Sequence, residues 1–239
     1  MKKHLLLLPL LATAMPAAAQ HTEVIGRAGL SLMQFGGKDA HNTTHVNYTN
    51  YNGYEGGYTN SPYGGRLGAG FTLGARAQRV GARNGLLLLD LGYEQLRSRT
   101  NIEILDYYNG TSNTPRAATG TASFQTQNLV AFLGFGHRFA VSNTVLDVLA
   151  GPELAYIFDF HEKGSGTYNG NLSWTTDRRN NAANRFDARL RADATAWYHR
   201  VGCNVSYSHG LINYQSGLIG GSPEVYARIL RLGLAYRLH

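Results

Sequence analysis

Between Phe186 and Tyr198 the chain alternates with period two. Phe186, Ala188, Leu190, Ala192, Ala194, Ala196 and Tyr198 are apolar or aromatic, and Asp187, Arg189, Arg191 and Asp193 carry charge between them. Side chains of a β-strand point alternately to opposite faces, so this segment as a strand has one apolar face and one densely charged face. A soluble sheet turns such charges to water. A membrane barrel turns the apolar face to lipid and pairs the charges inside. On this window alone a helix competes, because Phe186, Leu190, Ala194 and Trp197 also fall near one helical stripe and alanine favours helices.

The rest of the chain decides for strands. From Arg66 to Gln78, Leu67, Ala69, Phe71, Leu73, Ala75 and Ala77 alternate with Gly68, Gly70, Thr72, Gly74 and Arg76. Glycine at nearly every second position would weaken a helix badly. On an inward face it leaves room for long arginines from neighbouring strands. The same alternation recurs in Leu87–Tyr93 with Asp90 and Glu94 on the other parity, in Leu129–Phe135 with Asn128 and Arg138 as inward markers, and in Leu146–Phe158 with Asp147 and Glu153 inward. It recurs again in Val201–Tyr207 and in Leu230–Leu238 with Arg231 and Arg237 inward. A weaker first strand covers Val24 to Phe35, with Arg27, Gly29 and Ser31 inward. Pro152 is awkward in a paired strand and marks a bulge or local break.

The connections between these strands alternate in length. Short turns lie at 80–85, 140–143 and 198–200. Long polar stretches lie at Gly36–Gly64, Ser98–Ser123 and His161–Asn184, with a shorter one at Ile212–Glu224. The first holds Tyr48, Tyr51, Tyr54, Tyr58 and Tyr63 among Asn, Thr and Gly, lacks the aliphatic residues of a core, and reads as a solvated loop. With about eight strands and both termini on one side, every long loop falls on the opposite side. Short periplasmic turns and long extracellular loops are the pattern of bacterial outer-membrane barrels. The expected fold is therefore all-β, an antiparallel transmembrane β-barrel of about eight strands.

Export fits this reading. Lys2 and Lys3, the apolar run Leu5–Leu11 and the small residues before Gln20 make residues 1–19 a cleaved signal peptide, with 20–239 as a single barrel domain. No window is long and apolar enough for a transmembrane helix, and mean hydropathy is −0.26. One cysteine, Cys203, rules out an internal disulfide. The formal charge is +7, falling by two when Lys2 and Lys3 leave with the signal. A pI near 9.6 raises nucleic acid as a partner. The export signal and the absence of a clustered basic run argue against it. A barrel this small is filled by side chains. Arg76, Asp90, Glu94, Asp147, Glu153, Asp187, Arg189, Arg191, Asp193, Arg231 and Arg237 share the inward parity and are expected to form a structural network of ion pairs.

Leu146–Tyr156, with its Ala-Gly-Pro-Glu-Leu-Ala-Tyr, resembles the small outer-membrane β-barrel family of Bacteroidetes often called PorT-like. Phe186-Asp-Ala-Arg-Leu, Tyr207-Ser-His-Gly-Leu-Ile-Asn and Leu232-Gly-Leu-Ala-Tyr-Arg-Leu look like that family's later strands. The last strand departs from the usual aromatic ending, with Leu238 in that place. The resemblance implies fold and location and carries no catalytic motif.

Catalytic and metal sites find little support. His41 and His45 have the spacing of a helical metal pair but sit in a loop without a third ligand. Ser208 and His209 are strand neighbours, face opposite ways and cannot form a nucleophile–base pair. No cofactor, metal or catalytic residue is assigned. The expectation is a non-enzymatic, monomeric outer-membrane protein. Its partners are outer-membrane lipid, the barrel-assembly machinery and an extracellular partner met through the Tyr/Asn-rich loops. The alternatives are a barrel enzyme acting on lipid A or peptides, and a secreted soluble β-sandwich or lipocalin-like binder.

Overall fold

The computed structural model describes residues 20–179, 185–216 and 223–238, so the signal peptide expected at 1–19 lies outside the described residues. Eleven strands follow one another in these segments: β1 (His21–Gly36), β2 (Thr43–Tyr51), β3 (Tyr54–Thr59), β4 (Arg66–Val80), β5 (Gly85–Tyr108), β6 (Asn113–Val141), β7 (Thr144–Tyr168), β8 (Leu172–Arg179), β9 (Phe186–Tyr198), β10 (Val201–Gly210) and β11 (Tyr226–Arg237).

Eight of them close a ring. β1 pairs with β4, then in turn come β5, β6, β7, β9, β10 and β11, which pairs back to β1, every contact antiparallel. Partners can be followed once round the ring through Thr22, Arg79, Leu87, Phe135, Ala150, Ala192, Tyr207 and Leu230. The circuit returns to β1 at Leu32, a stagger of ten residues. A shear of that size tilts the strands by roughly 35–45° to the barrel axis. Closure leaves no sheet edge in the ring, which a barrel in lipid requires because nothing there can bond a free N–H or C=O.

The faces follow the alternation. Leu30, Leu73, Leu91, Leu133, Leu154, Leu190 and Leu234 are 41–61% exposed on the outside, while Arg76, Asp90, Glu153, Arg189, Arg191 and Arg231 are at most 3% exposed inside. A soluble sandwich or lipocalin-like barrel buries its apolar face, so this inverted distribution contradicts that alternative. On β9 the outward residues run from Tyr198 at one rim to Phe186 at the other. At a rise of ~3.3 Å per residue and the tilt above, the apolar band is roughly 30 Å tall, close to a bilayer's hydrocarbon core. The inward glycines act as expected: a Cβ on Gly74 or Gly92 would lie 3.1 or 3.4 Å from the Arg27 guanidinium, which crosses the space they leave. Pro152 faces outward and β7 runs on through it. Its ladder to β6 is interrupted at Gly151–Pro152 without a register shift, so the local break occurs and the bulge does not.

The polar stretches correct the loop reading. Ser98–Ser123 is mostly strand, since β5 runs to Tyr108 and β6 restarts at Asn113. His161–Asn184 contains the end of β7 and all of β8, with residues 180–184 outside the described set. Gly36–Gly64 folds into the β2–β3 hairpin, whose β2 lies parallel to the outer half of β5. The result is a six-stranded upper tier, in the order β3–β2–β5–β6–β7–β8, standing on one end of the ring. It has its own core of Val46, Tyr48, Ile102, Leu105, Ala118, Ala122, Tyr168 and Trp174. Val46 and Tyr48, read as parts of a solvated loop, are 0% and 3% exposed there. The β3 edge is tied across the tier to β7, where Glu162 accepts hydrogen bonds from the Thr59 amide (2.6 Å) and hydroxyl.

Two of the three upper hairpins, β2–β3 and β7–β8, turn on Asn-Gly with positive φ at both residues: Asn52 at 53° and Gly53 at 79°, Asn169 at 47° and Gly170 at 86°. That geometry matches the right-handed twist of paired strands. At Gly170 a Cβ meets no atom within 4 Å, so only backbone conformation opposes a side chain. Gly170→Ala is expected to destabilise the β7–β8 hairpin by about 1 kcal/mol. Limited proteolysis should show faster nicking near residue 170 with the barrel fragment unchanged. Unaltered nicking would mean that the turn does not limit the hairpin.

Candidate functional site

The barrel interior is a solid column of three charged tiers. At the turn end, Arg138 forks onto Glu23 (2.8 and 2.7 Å) and also donates twice to Asp147 (2.7 and 2.8 Å). Gln78 and the Trp197 indole donate to the same Asp147 at 2.8 and 2.9 Å. Arg237 lies 3.4 Å from Glu23 with its guanidinium 4.1 Å from the centre of the Trp197 ring. In the middle tier Asp90 accepts from Arg27 (2.8 Å) and Arg76 (3.3 Å). Asp193 accepts from Arg76 (3.0 Å), Arg191 (2.5 Å) and Asn204 (3.0 Å).

The third tier is the densest. Arg231 donates twice to Glu94 (3.0 and 2.7 Å), once to Glu153 (3.0 Å) and once to the Ser208 hydroxyl (2.6 Å). Arg189 donates to Glu94 (2.5 Å), Glu153 (3.2 Å) and Asp187 (2.6 Å), and Asp187 also accepts from the Tyr214 hydroxyl at 2.9 Å. Across the three tiers seven arginines (Arg27, Arg76, Arg138, Arg189, Arg191, Arg231, Arg237) meet seven carboxylates (Glu23, Asp90, Glu94, Asp147, Glu153, Asp187, Asp193), so the column is neutral. Above it Met33, Phe35, Leu96, Phe124, Ile157, Phe160, Val225, Ala227 and Ile229 form an apolar plug, with Tyr63 and Tyr214 packed against it.

All eleven residues expected inside are placed there, ten of them buried, with the Arg237 side chain 18% exposed at the turn end. Parity reading left Glu23, Arg27, Arg138 and Trp197 out of the network. Arg27 and Arg138 had shown inward parity. Trp197 shares the odd parity of Asp193, a signal masked by its place in the apolar helical stripe. Tyr214 comes from the polar stretch after β10 and dips back into the barrel mouth; nothing in a local pattern announces that.

Chemically the arrangement holds its groups in place. The carboxylates of the middle and third tiers are closed beneath the plug and engaged by guanidinium groups, so no substrate reaches them. Ser208 points inward to Arg231, whereas His209 is on the outside, its Nδ1 3.4 Å from the Tyr207 hydroxyl. His45 Nδ1 lies 3.5 Å from Asp106 on β5, and no cluster of three or more metal-type ligands occurs among the described residues. At the far end of the upper tier Tyr51, Tyr54, Tyr58 and Tyr108 are 40–61% exposed, with the Arg178 guanidinium 5.2 Å from the Tyr58 ring.

Neither a family model nor a curated protein matches this sequence. Among solved structures, Ail, the attachment invasion locus protein of Yersinia pestis, aligns over 90% of this chain and 98% of its own at 15% identity and a TM-score of 0.37. A second Ail structure, in complex with the heparin analogue sucrose octasulfate, aligns at 13% identity and a TM-score of 0.36 over 91% of this chain and 99% of its own. Neisserial surface protein A aligns over 90% of this chain and 97% of its own at 10% identity and a TM-score of 0.37. The barrel assignment rests on the closed strand ladder, which needs none of these likenesses.

Proposed function

We propose that the chain is an exported, non-enzymatic outer-membrane protein: a monomeric barrel that anchors the upper tier in lipid and presents its tyrosine-rich tip outside the cell. The observation that carries this is the inverted ring, with an apolar belt around the outside and a neutral, hydrogen-bonded column inside. An aqueous protein has no use for that distribution, and a bilayer demands it. Removal of residues 1–19 as a signal peptide, insertion by the barrel-assembly machinery through the last strand, and kinship with the PorT-like barrels of Bacteroidetes belong to the same reading. Exposed Tyr51, Tyr54, Tyr58 and Tyr108 supply rigid amphipathic contact area for an external partner. The interior column is proposed as a structural element without a pore.

Fractionation and gel mobility test this together. The chain should be recovered with the outer membrane, require detergent for extraction, and migrate differently on SDS gels before and after boiling. In planar bilayers it should give no stable open channel. Recovery in the soluble fraction without a heat-dependent shift would sink the membrane reading, and steady conductance would sink the closed-lumen reading.

A further inference from the structure

Just beyond the aromatic rim, the outer face changes from apolar to cationic. Tyr93 and Tyr156 mark that rim on β5 and β7, and Arg97 and Arg99 follow Tyr93 by four and six residues on the same strand. That spacing places them about 10–15 Å farther out along the tilted strand, past the roughly 5–8 Å headgroup layer of a phospholipid and at the level of a bulkier glycolipid headgroup. The ladder sets Arg66, Arg99, Ser123, Lys163 and Asp177 side by side on one rung across β4, β5, β6, β7 and β8. Between these strands lies a groove of about 650 Å³ lined by Arg97, Arg99, Ser123, Lys163, Thr175 and Asp177 among others.

The cations of this groove are unevenly engaged. Arg97 donates to Gln125 at 2.8 Å, while its Nε is buried without a partner. Lys163 lies 3.5 Å from Asp177, whose carboxyl is already shared with His161 at 2.7 Å and is held below its ordinary range by that hydrogen bond. Arg99 makes no side-chain hydrogen bond or ion pair among the described residues. Three cations thus converge on one groove that holds a single, already engaged carboxylate. The Ser123 hydroxyl already donates to the Lys163 carbonyl at 3.2 Å, and the Thr175 hydroxyl adds a donor beside the cations, a combination suited to phosphate oxygens.

We propose that this groove binds the phosphate of an outer-leaflet glycolipid, whose acyl chains would lie along the apolar belt directly below. The inference rests on the outer-membrane reading above and adds a site and a ligand class to it. The charged residues that line the groove share the outward parity of Tyr93 on the paired strands, so a glycolipid anchored in the same leaflet meets them at high local concentration.

The full chain would be reconstituted in phosphatidylethanolamine vesicles containing either bisphosphorylated lipid A or its dephosphorylated form, and lipid A retained on the purified protein would be measured. Unaltered protein should retain the phosphorylated lipid about tenfold better. The triple variant Arg97→Gln/Arg99→Gln/Lys163→Gln should lose that preference, and Arg79→Gln/Arg200→Gln, at the opposite rim, should keep it. The gel shift on boiling checks that each variant is folded. If the triple variant fails to fold, Arg99→Gln alone should lose part of the preference. Retention of the full preference in the folded triple variant, or in Arg99→Gln if the triple cannot fold, overturns the proposal. So does full displacement by equimolar inorganic phosphate, which would make this a site for the free ion. Failure to fractionate with the outer membrane would instead overturn the location, a separate result.

Discussion

Replacing Arg231 by leucine is expected to cost about 3–5 kcal/mol of unfolding free energy, the cost of removing one partner from a buried ion pair. Arg231 is 2% exposed and stands between Glu94 and Glu153, each also held by Arg189. Without it, two carboxylates inside a closed barrel keep their negative charge near one another and lose three hydrogen bonds between them. Arg231→Lys should fall between, since an ammonium keeps the charge but cannot match the two-pronged contact with Glu94. Denaturant unfolding in detergent, followed by the fluorescence of Trp174 and Trp197, measures the difference. A loss below about 0.5 kcal/mol for Arg231→Leu would show that the column relaxes around the missing cation and that its pairing is dispensable.

Leu89→Arg tests the other side of the same wall. Leu89 is 47% exposed on the outer face of β5, midway between the strand's start at Gly85 and the rim residue Tyr93. In water an arginine at such a position is nearly neutral, within about 0.5 kcal/mol. In a bilayer it should cost about 2–4 kcal/mol, because the guanidinium must be carried to the rim or draw water inward. Unfolding in lipid vesicles compared with unfolding in mild detergent separates the two environments. An unchanged stability in vesicles would mean that this face does not meet hydrocarbon. Leu172→Arg, in the upper tier and 52% exposed, is the matched control and should change little in either medium.

The two variants follow from the same alternation of residues, and that alternation was fully legible. Asp187, Arg189, Arg191 and Asp193 against Leu190 and Ala192 announces two unlike faces. Repeated round the chain with alternating long and short connections, it yields a ring whose inside is polar. Between bulges, strand side chains keep period two whatever they pack against, so facing is a local property there; at the register shift opposite Gln127–Asn128 the buried parity of β7 changes from Ile157 to Phe160. The β2–β3 and β7–β8 hairpins of the upper tier had a local signal too. Asn52-Gly53 and Asn169-Gly170 are the residues of a two-residue hairpin turn, but the polar composition around them reads as loop when the turn is not weighed.

Which charge meets which was not legible. Parity places Glu94, Glu153, Arg189 and Arg231 in one lumen, but their contacts span up to 137 positions in the chain and depend on the ten-residue stagger of the closed ring. The burial of Val46, Tyr48 and Tyr168 depends likewise on β2 lying parallel to β5, a pairing between segments that carry no mark for each other. The sequence by itself determined the eight membrane-level strands of the ring, their two faces and the end of the barrel that bears the long connections, because these follow from period two and from turn length. Only the tertiary structure decided the ion-pair partners, the plug and the upper tier. Those depend on shear and on distances between residues remote in the chain, and no local pattern encodes either.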